Sequence, residues 1–146
     1  MNYFLDRNCN FDILVWCKTN CIPKTNNSYL PNLEYLLFFR EKGCPKHLNE
    51  GYHLKSKWYQ STANKYDKDR YFHPTIKPLE LVKRHILHST QEGDIVLDCF
   101  AGSGTTLKAC QETNRRYIGM EINPKYYQIA KDRLNNINAK GEVSLF

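Results

Sequence analysis

Residues 97–122, LDCFAGSGTTLKACQETNRRYIGMEI, decide the fold. A short apolar run closes on Asp98 and breaks into Gly102-Ser103-Gly104. A segment with helical spacing follows, and a second apolar run closes on Glu121. Gly93-Asp94 punctuates the chain ahead of a strand over 95–98. The pattern then predicts a helix over 103–114, a strand over 117–122 and a helix over 124–137. In that last helix Tyr126, Ile129, Ala130, Leu134 and Ile137 share one face. Strand, helix, strand, helix at this spacing implies a parallel α/β sheet with right-handed crossovers.

In such sheets, ligands bind beyond the carboxyl ends of the strands. Glycines there let the backbone turn sharply and approach a ligand without a Cβ in the way. Ser103, Thr105 and Thr106 open the following helix, where side chains cap or bind and the first N–H groups face the crevice. Glu121 lies 23 residues after Asp98, where a carboxylate accepts two hydrogen bonds from a ribose diol. The third glycine of the dinucleotide fingerprint is missing, and Asp98 would repel a pyrophosphate. The same aspartate suits a cationic amine. S-adenosylmethionine has a ribose, an α-ammonium and no phosphate. Taken alone, the G-x-G is weak: Asp98 and Glu121 as plain strand-end caps around an ordinary turn explain it equally well.

Upstream, residues 11–17 (FDILVWC) predict a buried strand, 18–32 a loop, and 33–39 (LEYLLFF) a second strand, with a helical turn as the alternative. Residues 41–72 read as a long loop region. Prolines, glycines and charges break any period there. Tyr52, Trp58, Tyr59, Tyr66, Tyr71 and Phe72 stand among seven Lys and Arg residues. These bases and rings suit phosphates and unpaired bases; a solvated loop with its aromatics packed beneath it is an equal reading. Pro78 suits a first helical turn, with Leu79, Val82 and Ile86 spaced behind it.

With 146 residues the chain is one domain by size, and its 41% hydrophobic content reads as globular. No apolar run has membrane-spanning length, and the start lacks a signal-peptide layout, so a cytoplasmic protein is expected. Twenty-one Lys and Arg against 15 Asp and Glu give a net charge of +6, which favours a polyanionic partner. Six irregularly spaced cysteines make a weak disulfide case. Cys17, Cys21, Cys44 and His47 compose a zinc set on paper, but no C-x-x-C knuckle is present and buried thiols are the stronger expectation.

HPTIKP (73–78), DCFAGSGTT (98–106) and GMEINPKYYQIAKDRL (119–134) resemble the C-terminal half of the amino-group DNA methyltransferases, in the order of the β-type group. FDILVWCKTN (11–20) and LEYLLFFREKG (33–43) resemble that group's W-x-K and E-Y segments, so the likeness covers nearly the whole chain. One departure is Cys99, where the family has proline. The resemblance implies an α/β, incomplete Rossmann-like fold that binds S-adenosylmethionine, with a mostly parallel sheet and flanking helices. It implies methyl transfer to DNA in a restriction-modification setting, with adenine N6 favoured over cytosine N4. Asp98, Phe100, Gly102, Ser103, Gly104, Thr105 and Thr106 would line the methionine end of the cofactor. Glu121 would hold the ribose, and Thr75 and Lys77 would close the pocket.

The family's chemistry depends on a D/N/S-P-P-Y/F/W loop that holds a flipped base. No such tetrapeptide occurs here; Asn123-Pro124-Lys125-Tyr126 is a near match explained as a helix start. The expectation is a single partial domain over 1–146: strand-loop-strand to residue 40, the basic and aromatic loop over 41–72 as a target-recognition candidate, and cofactor-binding strand-helix units over 73–146. Such a fragment is expected to be inactive alone, exposed at a sheet edge, and of prokaryotic or phage origin. DNA is its expected partner, alongside a separate polypeptide carrying the D-P-P-Y loop; a non-catalytic DNA- or cofactor-binding remnant is the alternative.

Overall fold

The structure is a computed structural model that describes residues 10–23, 28–40, 43, 56–62, 71 and 75–136. These residues fall into two compact units, each described by itself.

The first unit is a three-stranded sheet in the order β2-β1-β3, formed by β1 (Asn10–Lys18), β2 (Leu33–Arg40) and β3 (Trp58–Ser61). β1 and β2 are antiparallel, running from Asn10 opposite Arg40 to Cys17 opposite Leu33. β3 lies parallel to β1, from Val15 beside Trp58 to Lys18 beside Ser61. The strand at 58–61 corrects the expectation of an unbroken loop over 41–72; most of the remainder of that stretch lies outside the described residues. Its pairing is fixed from the β1 side, where the Trp16 indole N–H donates to Ser61 Oγ at 2.9 Å.

A period of two sorts this sheet into two unlike faces. Trp16 and Lys18 share one face, where Trp16 is buried and Lys18 Nζ reaches Glu34 Oε1 at 3.3 Å. The opposite face carries Phe11, Ile13, Tyr35, Leu37, Phe39 and Trp58, all exposed, with Tyr35 at 68%. Lys57 pairs with Asp12 at the β3 edge.

The second unit runs α1 (Leu79–Ser89), β4 (Ile95–Asp98), α2 (Thr105–Glu112), β5 (Arg116–Gly119) and α3 (Pro124–Leu134). β4 and β5 form a parallel pair joined through α2. Ile86 of α1 clusters with Ala109 and Cys110 of α2, and Leu79 and Val82 of α1 and Val96 of β4 pack against that cluster. Lys83 joins these two helices on the surface, between Glu80 at 3.3 Å and Glu112 at 3.2 Å. Gly119 is what lets α2 lie on β5: a Cβ there would stand 2.5 Å from a Leu107 methyl. Ile95, Leu97 and Ile118 line the other face of the pair and are exposed.

Pro78 proves to be the residue before α1, with Val82 N–H donating to its carbonyl at 3.3 Å. Asn123-Pro124 starts α3 as expected: the Asn123 side chain accepts from the Lys125 and Tyr126 N–H groups, and proline sits in the first turn. Cys17, Cys21, Cys99 and Cys110 are free thiols, and burial pushes the Cys110 thiol up. Cys44 and His47 of the paper zinc set lie outside the described residues. Among the described residues no helix is long and apolar enough to cross a membrane.

Candidate functional site

β4 and β5 end side by side, Asp98 opposite Gly119, so the chain leaves both strands at one edge. The exit stays zipped: Met120 N–H donates to the Asp98 carbonyl at 2.9 Å, and Ala101 N–H to the Met120 carbonyl at 2.8 Å. The Asp98 side chain folds over its own turn, accepting from Phe100 N–H at 3.0 Å. Phe100 projects from that turn, 91% exposed.

The glycine turn follows. Gly102 and Gly104 both take positive φ, 52° and 73°, where a side chain is strained. Gly104 also meets α3: a Cβ on it would lie 2.9 Å from Ala130 Cβ. α2 starts immediately afterwards with no side-chain cap, so its first N–H groups stay outside its own ladder. Helix starts beyond the carboxyl ends of strands are where ligands of such sheets bind.

Glu121 reaches across to the turn. Its Oε2 accepts Gly102 N–H and its Oε1 accepts Asn123 N–H, each at 2.8 Å. One backbone donor per oxygen fixes the carboxylate plane. A carboxylate has about four lone-pair sites, and these two amides are two of its partners.

Ser103 and Thr105 are buried, with their hydroxyls on the side of Arg133. Arg133 Nη1 donates to Thr105 Oγ1 at 2.7 Å, with Ser103 Oγ and Ser103 O farther off at 3.4 and 3.5 Å. Thr106 is half-buried at the head of α2. Thr75 is exposed and Lys77 half-buried, on either side of the buried Ile76. The structure thus brings Asp98, Gly102, Ser103, Gly104, Thr105 and Glu121 together at one sheet edge. His73 and Pro74 lie outside the described residues. Arg133 was not singled out from the sequence. The signal for it was a cation on α3's buried stripe, one turn beyond Ala130.

The comparisons with known proteins agree on one kinship. A family model described as DNA methylase matches residues 4–132. The type II methyltransferase M2.DpnII of Streptococcus pneumoniae is 37% identical over 136 residues, covering 86% of this chain and 51% of that protein. The orphan methyltransferase M.BamHII of Bacillus amyloliquefaciens is 32% identical, covering 92% of this chain and 66% of that protein. The chain spans about half the length of the first curated relatives it matches, 51% and 49%. Among solved structures, the M1.HpyAVI–SAM complex superposes with a TM-score of 0.81 at 32% identity, over 92% of this chain and 67% of that one. The cytosine-N4-specific PvuII methyltransferase shares the fold at a TM-score of 0.65 and 18% identity, over 90% of this chain and 58% of that one.

Proposed function

The chain belongs to the DNA methylase family of N6/N4 type, and from that premise we propose that it supplies the S-adenosylmethionine site of a DNA amino-methyltransferase. The observation that carries this reading is the Glu121 carboxylate, held by the Gly102 and Asn123 N–H groups at the edge of the glycine turn. A carboxylate fixed at a strand end beside such a turn suits an adenosine ribose, and Asp98 suits the ammonium. When bound, the cofactor supplies an electrophilic methyl group on sulfonium. The chain's own part is to hold and orient: Glu121 the ribose, Gly102, Gly104 and the head of α2 the methionine end, with Phe100, Thr106, Thr75 and Lys77 around it. Ser103 and Thr105 contribute through their backbone, their hydroxyls being turned to Arg133.

The methyl acceptor is DNA, with adenine N6 favoured over cytosine N4 on family resemblance. The basic and aromatic stretch 41–72 makes the phosphate and base contacts, and the enzyme works in a prokaryotic or phage-infected cytoplasm. The base-holding D-P-P-Y loop does not occur in this sequence and has to reach the site from outside these 146 residues.

Titration calorimetry on the full chain tests the cofactor reading. S-adenosylmethionine and its demethylated product should bind and NAD should not displace them. Displacement by NAD overturns the assignment.

A further inference from the structure

Arg133 is 2% exposed, and burying a guanidinium is costly unless its donors are used. It donates to the glycine turn: to Thr105 Oγ1 at 2.7 Å, and to Ser103 at 3.4 to 3.5 Å. Its guanidinium carbon also lies 4.8 Å from the centre of the Tyr71 ring, a cation–π distance. Tyr71 stands four residues before Thr75, which the family resemblance assigns to the closing of the pocket. One buried side chain therefore touches both the glycine turn and Tyr71, far from it in sequence.

Helix stability does not explain this placement. Thr105 is the first residue of α2, and a cation at a helix N-terminus opposes the macrodipole. In α3, by contrast, Arg133 sits in the last turn, where its charge is favourable. Arg133 thus belongs electrostatically to α3 and is spent by geometry on α2 and its turn. All three contacts come from one nitrogen, Nη1, whose hydrogens lie in the fixed plane of the guanidinium, a direction that a rotating lysine ammonium does not hold. Gly104 lies against Ala130, one helical turn before Arg133, so the whole turn rests on this face of α3.

We infer that Arg133 is a positioning residue for the cofactor turn: it locks Ser103 and Thr105 so that the Gly102–Gly104 backbone and the head of α2 are set before the ligand arrives, and it ties that turn to Tyr71. It touches no ligand itself. The inference rests on the cofactor reading above for its consequence, but not for its geometry.

The test uses the full chain with S-adenosylhomocysteine as probe, in the variants Arg133→Lys, Thr105→Val and the double. Arg133→Lys should raise the dissociation constant about tenfold, the scale of one charged hydrogen bond. Thr105→Val should weaken binding less, and the double should be no weaker than Arg133→Lys, because both remove the same link. Amide hydrogen exchange of the ligand-free chain supplies a second reading. Exchange at Gly102 and Gly104 should quicken in Arg133→Lys, with the amides of Ile86 and Ala109 unchanged. Unchanged affinity and exchange overturn the inference. So does exchange that quickens evenly through α1 and α2, the mark of a merely structural arginine. If Arg133→Lys fails to fold, Thr105→Val decides by the same local exchange at the turn. A wild-type chain that binds no probe overturns the cofactor reading, and the exchange pattern then still accepts or rejects the lock.

Discussion

Glu121 Oε2 accepts the N–H of Gly102 at 2.8 Å, so the carboxylate that suits a ribose also braces the turn beside it. Its other oxygen holds Asn123, the cap of α3. The residue therefore links the end of β5, the glycine turn and the start of the next helix. Binding and local order should fail together when it is removed. Glu121→Ala is expected to weaken S-adenosylmethionine binding by about 1–3 kcal/mol, since it removes the acceptor of the ribose hydroxyls and of the Gly102 and Asn123 amides. Glu121→Gln keeps one acceptor oxygen and should fall between alanine and wild type. Calorimetry of the three proteins checks the order.

Gly104 is the second point at which the turn tolerates no side chain. Its φ of 73° is left-handed, and Ala130 stands where a Cβ would go. Gly104→Ala should destabilise the chain by about 1–2 kcal/mol from backbone strain alone, with the clash added. Pairing it with Ala130→Gly removes the clash and leaves the strain, so the double variant should regain part of the loss. Urea denaturation of the single and double variants measures both components.

Much of this site was legible in the sequence because its signals are local. The strand at 95–98 and the helix start at Pro124 fall where Gly93 and Asn123-Pro124 punctuate the chain. Where the outcome differed, a partner decided. The apolar run 117–122 predicts a strand to Ile122, yet β5 occupies Arg116–Gly119, because β4 offers only four residues and ends at Asp98 opposite Gly119. The helix expected from Ser103 begins at Thr105 because Gly104 is left-handed. β3 was invisible for the same reason: four residues, WYQS, become a strand only beside Val15–Lys18. For Arg133 the local pattern shows only a cation on the buried stripe of α3; what it holds lies 28 and 30 residues away and is not legible from that pattern.

A pH dependence follows from α1. His85 is half-buried and its Nε2 has no hydrogen-bond partner; burial first, then Arg84 and His88, lowers its pKa below 6.5. His88 is lowered too, by burial and Arg84. The unfolded chain therefore takes up protons before the folded one does. Stability from these groups is fully present above 6.5 and is lost as pH falls through 6.5 towards the lowered folded values. Denaturant titrations across about pH 5 to 8 should show this acid limb, and His85→Leu should flatten it. An unchanged slope in that variant would assign the limb elsewhere.

The last prediction concerns what the chain does by itself. Each unit leaves a sheet face of large apolar side chains exposed: Phe11, Ile13, Tyr35, Leu37, Phe39 and Trp58 in one, Ile95, Leu97 and Ile118 in the other. Faces of this kind mark contact surfaces, and a complementing polypeptide that brings the D-P-P-Y loop is the occupant expected of them. Without that loop, nothing in this sequence is suited to hold a flipped base against the methyl sulfonium. Positioning of that sort is worth on the order of 7–11 kcal/mol in favourable cases, more than a cofactor site can make good. The chain alone should therefore bind duplex DNA with a steep salt dependence, through its excess of basic residues, and transfer no methyl group to it. Adding a polypeptide with the loop should restore transfer, and Tyr35→Lys or Leu37→Lys should abolish the rescue while leaving cofactor binding intact. A radiolabelled methyl-transfer assay on mixed-sequence duplex reads all three, and nucleoside analysis of the product tells adenine from cytosine. Turnover by the purified chain above a Glu121→Ala control would show that a base-holding element lies within it, and Asn123-Pro124-Lys125-Tyr126, here a helix cap, would be the first place to look.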